Sequence, residues 1–127
     1  MSSVDRSAGA KLRILIVEDE YLVADYITMI LEDLGYEVVG PLPTIPEVME
    51  AIASEKLDAV LLDANLGGAS SAPIAAELAT RRLPFVVVTG YGDLGLASTL
   101  QSAPRVNKPF TPTDLGPILA KALAPCE

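Results

Sequence analysis

Histidine is absent from this sequence of 127 residues, and its absence removes several classes of chemistry. A Ser-His-Asp or Cys-His arrangement uses an imidazole as its general base, so the chain can carry neither. Metal sites built from histidine nitrogens are excluded for the same reason, as is a histidine of this chain that donates phosphoryl groups. The chemistry of the chain must therefore rest on carboxylates, hydroxyls, amides and ammonium groups.

Cysteine and long apolar runs are also scarce. The single cysteine, Cys126, lies next to the last residue, where it has no partner for an internal disulfide, and we interpret it as a bystander thiol. No apolar run reaches the roughly 18 to 20 residues that a membrane-spanning helix needs. Residues 1–10 are mostly small and polar, without the apolar stretch of a signal peptide, so we predict a disordered N-terminus. We expect a cytoplasmic protein with no membrane partner.

Positive charge is in deficit, because 9 lysines and arginines stand against 17 acids, for a net charge of −8. Direct binding to nucleic acid is not expected, since it depends on a basic face. Half of the residues are apolar but only 5% are aromatic, which predicts an aliphatic core. A chain of this size can bury enough surface for one stable domain, which we expect to span residues 11–124 with no effector domain.

Short apolar runs alternate with segments of helical periodicity. Continuous apolar runs are typical of parallel strands that are buried on both faces. Strands are predicted over residues 14–17, 37–40, 59–62, 85–88 and 105–107, each followed by a helix. The segments between strands are too long for hairpins and suit right-handed crossovers. The order predicts a doubly wound α/β domain, a five-stranded parallel sheet with helices on both faces.

Local signals predict where these helices begin and end. The first helix carries an apolar stripe that extends to Leu34, and Gly35 follows as a stop signal. Residues 44–47 have the spacing of a capping box, and residues 70–81 form an alanine-rich helix. Pro112 suits the first position of the last helix. The helix around residues 93–101 should be the weakest, because glycines flank or interrupt it.

Polar side chains follow the apolar runs at the points where the strands end. Glu18 and Asp19 follow the first run, Asp63 the third and Thr89 the fourth, while Lys108 follows the weaker run 105–107. Ligands of open parallel sheets bind at the carboxyl ends of the strands, so these side chains should share one edge. Each residue alone could be a helix-terminus acid, a turn residue or a solvated charge.

Together these groups indicate a phosphoryl-transfer site. Carboxylates crowded at one edge repel one another unless a cation compensates them, and a hard cation with oxygen ligands, Mg²⁺ by default, resolves the conflict. One carboxylate could then attack a phosphoryl group as a nucleophile. Lys108 and Thr89 would hold the phosphoryl oxygens.

The chain resembles the receiver domains of bacterial response regulators, with their flavodoxin-like (βα)5 fold. Its matching motifs are the pair Glu18-Asp19, the acceptor segment 61–66, the step Thr89-Gly90 and the segment Lys108-Pro109-Phe110. The resemblance implies that a histidine kinase or a histidine phosphotransfer protein phosphorylates Asp63, and that the domain is no enzyme beyond self-phosphorylation and slow autodephosphorylation.

The resemblance also implies separate roles for the site residues. Mg²⁺ would be held by the carboxylates of Asp19 and Asp63 and by the main-chain carbonyl of Asn65, while Glu18 would act through a metal-bound water. Lys108 would pair with Asp63 and then with the phosphoryl group. The Lys108–Pro109 peptide bond would be cis, an isomer that proline makes accessible.

One position departs from the common receiver pattern. An aromatic residue usually lies three positions before the lysine and moves together with the threonine, but here that position is Arg105. Instead Tyr91 follows Thr89 by two residues, in a segment similar to the Phe-Ala-Thr-Gly-Tyr motif of single-domain receivers of alphaproteobacteria, several of which act in stress signalling. We hypothesise that Tyr91 takes over the switch role with Thr89; the alternative is a static lid residue.

Two other functions compete with this interpretation. A haloacid-dehalogenase-like phosphatase also uses an aspartyl nucleophile with Mg²⁺, but it carries Asp-x-Asp where this chain has Asp63-Ala64-Asn65. A receiver-like module that binds partners without phosphorylation is the other alternative. Under the leading interpretation the output is phosphorylation-dependent binding of another protein, or drainage of phosphoryl groups from a shared pool.

Overall fold

The sheet has five parallel strands. The structure, a computed structural model, describes residues 11–90, 100 and 102–124. The strands of this sheet are β1 (Arg13–Val17), β2 (Glu37–Leu42), β3 (Ala59–Asp63), β6 (Phe85–Thr89) and β7 (Arg105–Asn107). Two further short strands, β4 (Asn65–Leu66) and β5 (Ala69–Ser70), pair as a hairpin directly after β3. The helices that lie wholly within the described residues are α1 (Tyr21–Asp33), α2 (Ile45–Ser54), α3 (Ala72–Thr80) and α4 (Pro112–Leu123).

The strand order β2-β1-β3-β6-β7 creates the crevice in which the site lies. From β1 the chain passes to one side to form β2, and it then crosses back to form β3 on the other side. The carboxyl ends of β1 and β3 are thus adjacent at the switch point, where Val17 pairs with Leu62. Ligands of doubly wound sheets bind at this position.

Both faces of the sheet are covered, as predicted. Ile14 and Ile16 face one apolar layer, which α1 and α4 complete, while Leu15 and Val17 face the other layer with α2 and α3. Successive side chains of a strand point to opposite faces, so a strand covered on both sides has no position for a polar residue. This is the physical reason for the continuous apolar runs in the sequence.

Strand β2 is longer than predicted. It continues through a cis Gly40–Pro41 bond to Leu42, and its register against β1 shifts between Leu15 and Val17. Gly40 has φ +90°, and a Cβ atom there would lie 2.9 Å from the Leu42 nitrogen, so the position requires glycine. A proline is tolerated because β2 is an edge strand of the sheet.

Helix α1 ends as the glycine signal predicts. The Tyr36 amide donates to the Leu31 carbonyl and the Gly35 amide to the Glu32 carbonyl, with Gly35 at φ +92°, which is a Schellman motif. Leu34, the last residue of the predicted apolar stripe, does not join the core. Leu34 is 46% exposed, because α1 ends at Asp33 and the chain turns away from the core.

Two further helix starts differ from the prediction. Helix α3 begins at Ala72, because Ser70 belongs to the short hairpin instead. Thr44 caps α2 by accepting from the Glu47 amide, but its hydroxyl also donates to the Glu47 carboxylate, so the two residues do not form the predicted capping box. The reciprocal box lies at the start of α4 instead.

Other expectations fall partly or wholly outside the described residues. The predicted helix around residues 93–101 is described only at Leu100, which is buried in the layer beside α3. The predicted disordered segment 1–10 is not described either. None of the described helices is long and apolar enough to cross a bilayer.

Candidate functional site

Glu18 and Asp19 follow β1 and differ sharply in exposure. Glu18 is buried, and its Oε2 accepts a hydrogen bond of 3.1 Å from the Glu20 amide. Its Oε1 is also buried and has no hydrogen-bond partner among the described residues. Burial and the neighbouring Asp63 carboxyl raise the pKa of Glu18 to about 8. Asp19 is exposed and lines the mouth of the pocket described below.

Asp63 is the last residue of β3 and is only 4% exposed. Its Oδ1 accepts a hydrogen bond of 3.2 Å from the Asn65 amide, and its Oδ2 lies 3.5 Å from Lys108 Nζ. Burial raises the pKa of Asp63, while Glu18, the Asn65 amide and Lys108 oppose the rise. A buried carboxylate with few protein donors is suited to act on an incoming group rather than to stabilise the fold.

Lys108 brings the only positive charge described at this edge. Its Nζ lies 2.8 Å from Glu20 Oε1 and 3.5 Å from both Glu18 Oε1 and Asp63 Oδ2. Burial lowers the pKa of Lys108, but the carboxylates of Glu20, Asp63 and Glu18 outweigh it, and the net shift is upward. The backbone positions the residue as well, since its amide donates to the Thr89 carbonyl at 2.7 Å and the Lys108–Pro109 bond is cis.

Thr89 and Asn107 end two adjacent strands and bind each other. Thr89 is buried, and its hydroxyl donates to Asn107 Oδ1 at 2.6 Å. The two residues are paired in the register of β6 and β7. The pocket is lined by Gly90 rather than by Thr89, so the Thr89 hydroxyl faces Asn107 in this structure.

The hairpin after β3 forms the wall opposite α1. The Asn65 side chain accepts a hydrogen bond of 2.8 Å from the Gly68 amide, which closes the turn. Gly67 approaches Asp19, whose Oδ2 would lie 3.7 Å from a Cβ atom at that position. Asn65 thus lies beside Asp63 with its side chain directed into the turn. The main chain of Asn65 is therefore the part that can act in the pocket.

These residues surround one pocket of about 800 Å³. Its polar side is formed by Asp19, Glu20, Asp63, Asn65 and Lys108, and its apolar side by Leu22, Val23, Tyr26, Pro109 and Phe110. Tyr26 links the two sides, because its hydroxyl donates to the Phe110 carbonyl at 3.0 Å. The pocket can therefore admit a charged group next to a small apolar surface.

Glu20 and Asn107 belong to the site but were not predicted from the sequence. Glu18, Glu20 and Asp63 each offer a carboxylate oxygen within 4.8 Å of the others, a group that contains Glu20 and not the predicted ligand Asp19. The run Glu18-Asp19-Glu20 could have indicated a third acid, but a first-turn acid is equally typical of an ordinary helix start. Asn107 belongs to the weakest apolar run, and no sequence pattern indicated that its side chain would contact Thr89.

Of the three switch candidates, Thr89 is described above, and Arg105 and Tyr91 differ in whether the structure describes them. Arg105 is exposed at the start of β7, opposite Val87 in the register of β6. Tyr91 lies outside the described residues. The structure therefore places Arg105 on the surface of an edge strand and leaves the hypothesis about Tyr91 as a prediction.

Comparison with known proteins identifies the family. The profile of the response regulator receiver domain matches residues 14–119. The chain belongs to this family. Receiver domains are phospho-accepting signalling modules of two-component systems rather than catalytic enzymes. The predicted family and fold are thereby confirmed.

Similar proteins agree with this assignment. SdrG from Sphingomonas melonis Fr1 is 38% identical in sequence, with a TM-score of 0.81 over 90% of this chain and 98% of that one, and SdrG has also been solved in a BeF3-activated conformation. The receiver domain of the sensor histidine kinase PA1611 from Pseudomonas aeruginosa PAO1 is 25% identical, with a TM-score of 0.78 over 90% of this chain and 98% of that one. Its structure holds a magnesium ion in the active-site cleft.

A curated relative is longer than this chain. The transcriptional regulatory protein PdtaR of Mycobacterium tuberculosis is 30% identical over 126 residues, which is 96% of this chain. The chain spans 62% of the length of PdtaR, so the likeness concerns the receiver part and not the whole activity of that protein.

Proposed function

We propose that the receiver domain accepts a phosphoryl group on Asp63 from the phosphohistidine of a histidine kinase or a phosphotransfer protein. The observation that carries the proposal is the position of Asp63. Its carboxyl group is buried at a strand end, beside the pocket, with Lys108 Nζ 3.5 Å from Oδ2. The family already implies a histidine kinase as a partner, and the proposal adds the acceptor residue.

The transfer exchanges one bond to phosphorus for another. An Asp63 carboxylate oxygen attacks the phosphorus, the phosphorus–nitrogen bond of the donor histidine breaks, and the leaving imidazole nitrogen keeps the electron pair. The Lys108 ammonium binds a phosphoryl oxygen where negative charge accumulates. Thr89 binds a second oxygen, for which its hydroxyl must leave Asn107, its present partner at 2.6 Å.

The acids of the site fit Mg²⁺. All are oxygen ligands, and the buried Glu18 Oε1 has no hydrogen-bond partner among the described residues, only the ion pair with Lys108 Nζ at 3.5 Å, so a nearby cation would offset the cost of burying this oxygen. The carboxylates of Asp19 and Asp63 and the main-chain carbonyl of Asn65 would hold the ion, and Glu18 would act through a bound water. The ion would supply the positive charge that lets an anionic donor approach these acids.

Signalling would follow from the phosphorylated state. When the Thr89 hydroxyl leaves Asn107, the Thr89 side chain at the end of β6 and the Asn107 side chain at the end of β7 both lose their partner. Because β7 is an edge strand, this change would connect the site to the edge of the sheet. Phosphorylation-dependent binding of another protein is the proposed output, and drainage of a shared phosphoryl pool is the alternative. The BeF3-activated conformation known for SdrG supports signalling of this type.

The experiment is incubation with Mg²⁺ and acetyl phosphate, followed by intact-mass measurement. We expect the wild type to gain the mass of one phosphoryl group and Asp63→Asn to gain none, because the amide is not a nucleophile for phosphorus. The matched control is Asp33→Asn, at the exposed end of α1, which should be labelled like the wild type. A chelator should abolish labelling.

Three outcomes would contradict the proposal. A wild type that gains no mass in the presence of Mg²⁺ would indicate a module that binds partners without phosphorylation. Continuous release of phosphate over many turnovers would indicate a phosphatase. Labelling that persists in Asp63→Asn would show that another residue accepts the phosphoryl group.

A further inference from the structure

The ammonium group of Lys108 is bound more closely by Glu20 than by the acceptor. The distance from Lys108 Nζ is 2.8 Å to Glu20 Oε1 but 3.5 Å to Asp63 Oδ2 and to Glu18 Oε1. A charge-assisted N–H···O bond is about 2.7 to 2.9 Å long, so only the Glu20 contact has that length. The role proposed above for Lys108 requires a contact with a group on Asp63 instead.

Glu20 has no place in the proposed phosphoryl transfer. It is the N-cap residue of α1, but its side chain does not cap the helix. Its side chain is 61% exposed, whereas that of Lys108 is 20% exposed, so the pair lies at the mouth of the pocket. The contact joins residues 88 positions apart, and it therefore ties the start of α1 to the segment after β7.

Lys108 is able to exchange this partner. A lysine ammonium has three donors on a flexible stem and shifts between acceptors without a planar geometry to preserve. A phosphoryl group on Asp63 would place new oxygens within the region that Nζ already reaches at 3.5 Å. Binding those oxygens at hydrogen-bond length means a loss of the Glu20 contact.

We propose that Glu20 is a positioning residue that holds Lys108 at the pocket mouth and competes with the phosphoryl group for its ammonium. This inference rests on the proposed function. The free energy of the Glu20–Lys108 ion pair is lost when the phosphorylated state forms. Glu20 therefore weakens the phosphorylated state relative to the unphosphorylated one, and removal of its charge strengthens it.

The test is the affinity for beryllofluoride in the presence of saturating Mg²⁺. For Glu20→Gln we expect the dissociation constant to fall by about 1.4- to fivefold, the range that exposed ion pairs span. Asp25→Asn is the control, because it removes one exposed negative charge on the same helix without a recorded contact to Lys108. A gain in Glu20→Gln no larger than that in Asp25→Asn would overturn the proposal.

A second measurement follows Lys108 itself. The side-chain ¹⁵N resonance of Lys108, assigned by its loss in Lys108→Arg, should shift in Glu20→Gln and stay in place in Asp25→Asn. An unchanged resonance in Glu20→Gln would show that the pair does not form in solution, and the proposal would fail. The Mg²⁺ dissociation constant should be the same in Glu20→Gln and Asp25→Asn, and a selective loss of Mg²⁺ affinity in Glu20→Gln would make Glu20 a metal ligand instead.

The two proposals fail in different ways. If the wild type does not bind beryllofluoride with Mg²⁺, the proposed function fails and this inference fails with it. If the wild type binds and Glu20→Gln binds no more tightly than Asp25→Asn, only the role of Glu20 is lost.

Discussion

At the scale of single residues, the site has more negative than positive groups. One ammonium, that of Lys108, lies among the carboxyl groups of Glu18, Glu20 and Asp63. Three ionised carboxylates at this separation repel one another, and burial adds to the cost of ionising Glu18 and Asp63. Burial and the neighbouring Asp63 carboxyl raise the pKa of Glu18 to about 8, so the metal-free site keeps a proton and avoids part of this cost.

This proton makes the stability of the metal-free protein depend on pH. In the folded state the pKa of Glu18 is about 8, above its ordinary value of 4.5 in an unfolded chain. Between these two pH values the folded state therefore binds a proton that the unfolded state releases. The resulting stabilisation is present below pH 4.5 and is lost as the pH rises to about 8. With a chelator present, the free energy of unfolding of the wild type should fall over this interval.

Glu18→Gln should flatten that pH dependence. The amide keeps the shape of the side chain without an ionisable group, so near pH 8 the variant should be more stable than the metal-free wild type. Some dependence should remain, because the pKa of Asp63 is raised as well. Urea unfolding at a series of pH values measures the effect, with the exposed Glu32→Gln as the control. An unchanged slope in Glu18→Gln would contradict the assignment.

At the scale of elements, a capping box at the start of α4 follows the segment that carries Lys108. Thr111 accepts from the Asp114 amide, and the Asp114 carboxylate accepts in return from the Thr111 amide at 2.9 Å. Pro112 occupies the first helical position, as predicted. The segment between Lys108 and this box is also tied to α1, since the rings of Tyr26 and Phe110 are 5.8 Å apart.

Thr111→Ala should destabilise the protein through the loss of this cap. We expect a decrease of about 1 kcal/mol in the free energy of unfolding, measured with urea. Thr113→Ala is the matched control, because it makes the same exchange at an exposed position inside the helix and should change stability by less than about 0.5 kcal/mol. Equal effects of the two exchanges would show that the box contributes nothing beyond helix propensity.

At the scale of the whole molecule, the excess of acids opposes compaction. The net charge of −8 is spread over a single small domain, and like charges repel over a distance that salt sets. The screening length falls from about 30 Å at 0.01 M salt to about 8 Å at 0.15 M. Long-range repulsion should therefore be felt mainly at low ionic strength.

Stability of the metal-free protein should accordingly rise as KCl is added over this range. Thermal unfolding in the presence of a chelator measures the change, and sucrose at equal osmolarity serves as the control for effects unrelated to charge. A fall in the melting temperature with KCl would mean that attractive pairs, such as Arg13 with Glu37 and Glu55, outweigh the repulsion.

The sequence by itself determined the strands of the sheet and the edge at which the polar side chains meet. Strands buried on both faces must be continuously apolar, so their ends are visible as the places where polar side chains resume. Because the strands are parallel, Glu18, Asp63 and Lys108 had to meet at one edge, and the structure places Lys108 Nζ 3.5 Å from both Glu18 Oε1 and Asp63 Oδ2. The end of α1 before Gly35 was predictable for an equally local reason, because glycine readily adopts the left-handed backbone that ends a helix.

Only the tertiary structure decided which polar groups pair within that edge. The Glu20–Lys108 contact spans 88 positions and the Thr89–Asn107 contact 18, and neither leaves a local signal. Which acid lies closest to the ammonium depends on differences of less than 1 Å, which follow from how α1, the hairpin after β3 and the segment after β7 pack. Periodicity and spacing predict the edge of the sheet to which a side chain belongs, but its nearest partner is set by the three-dimensional packing of elements that are distant in sequence.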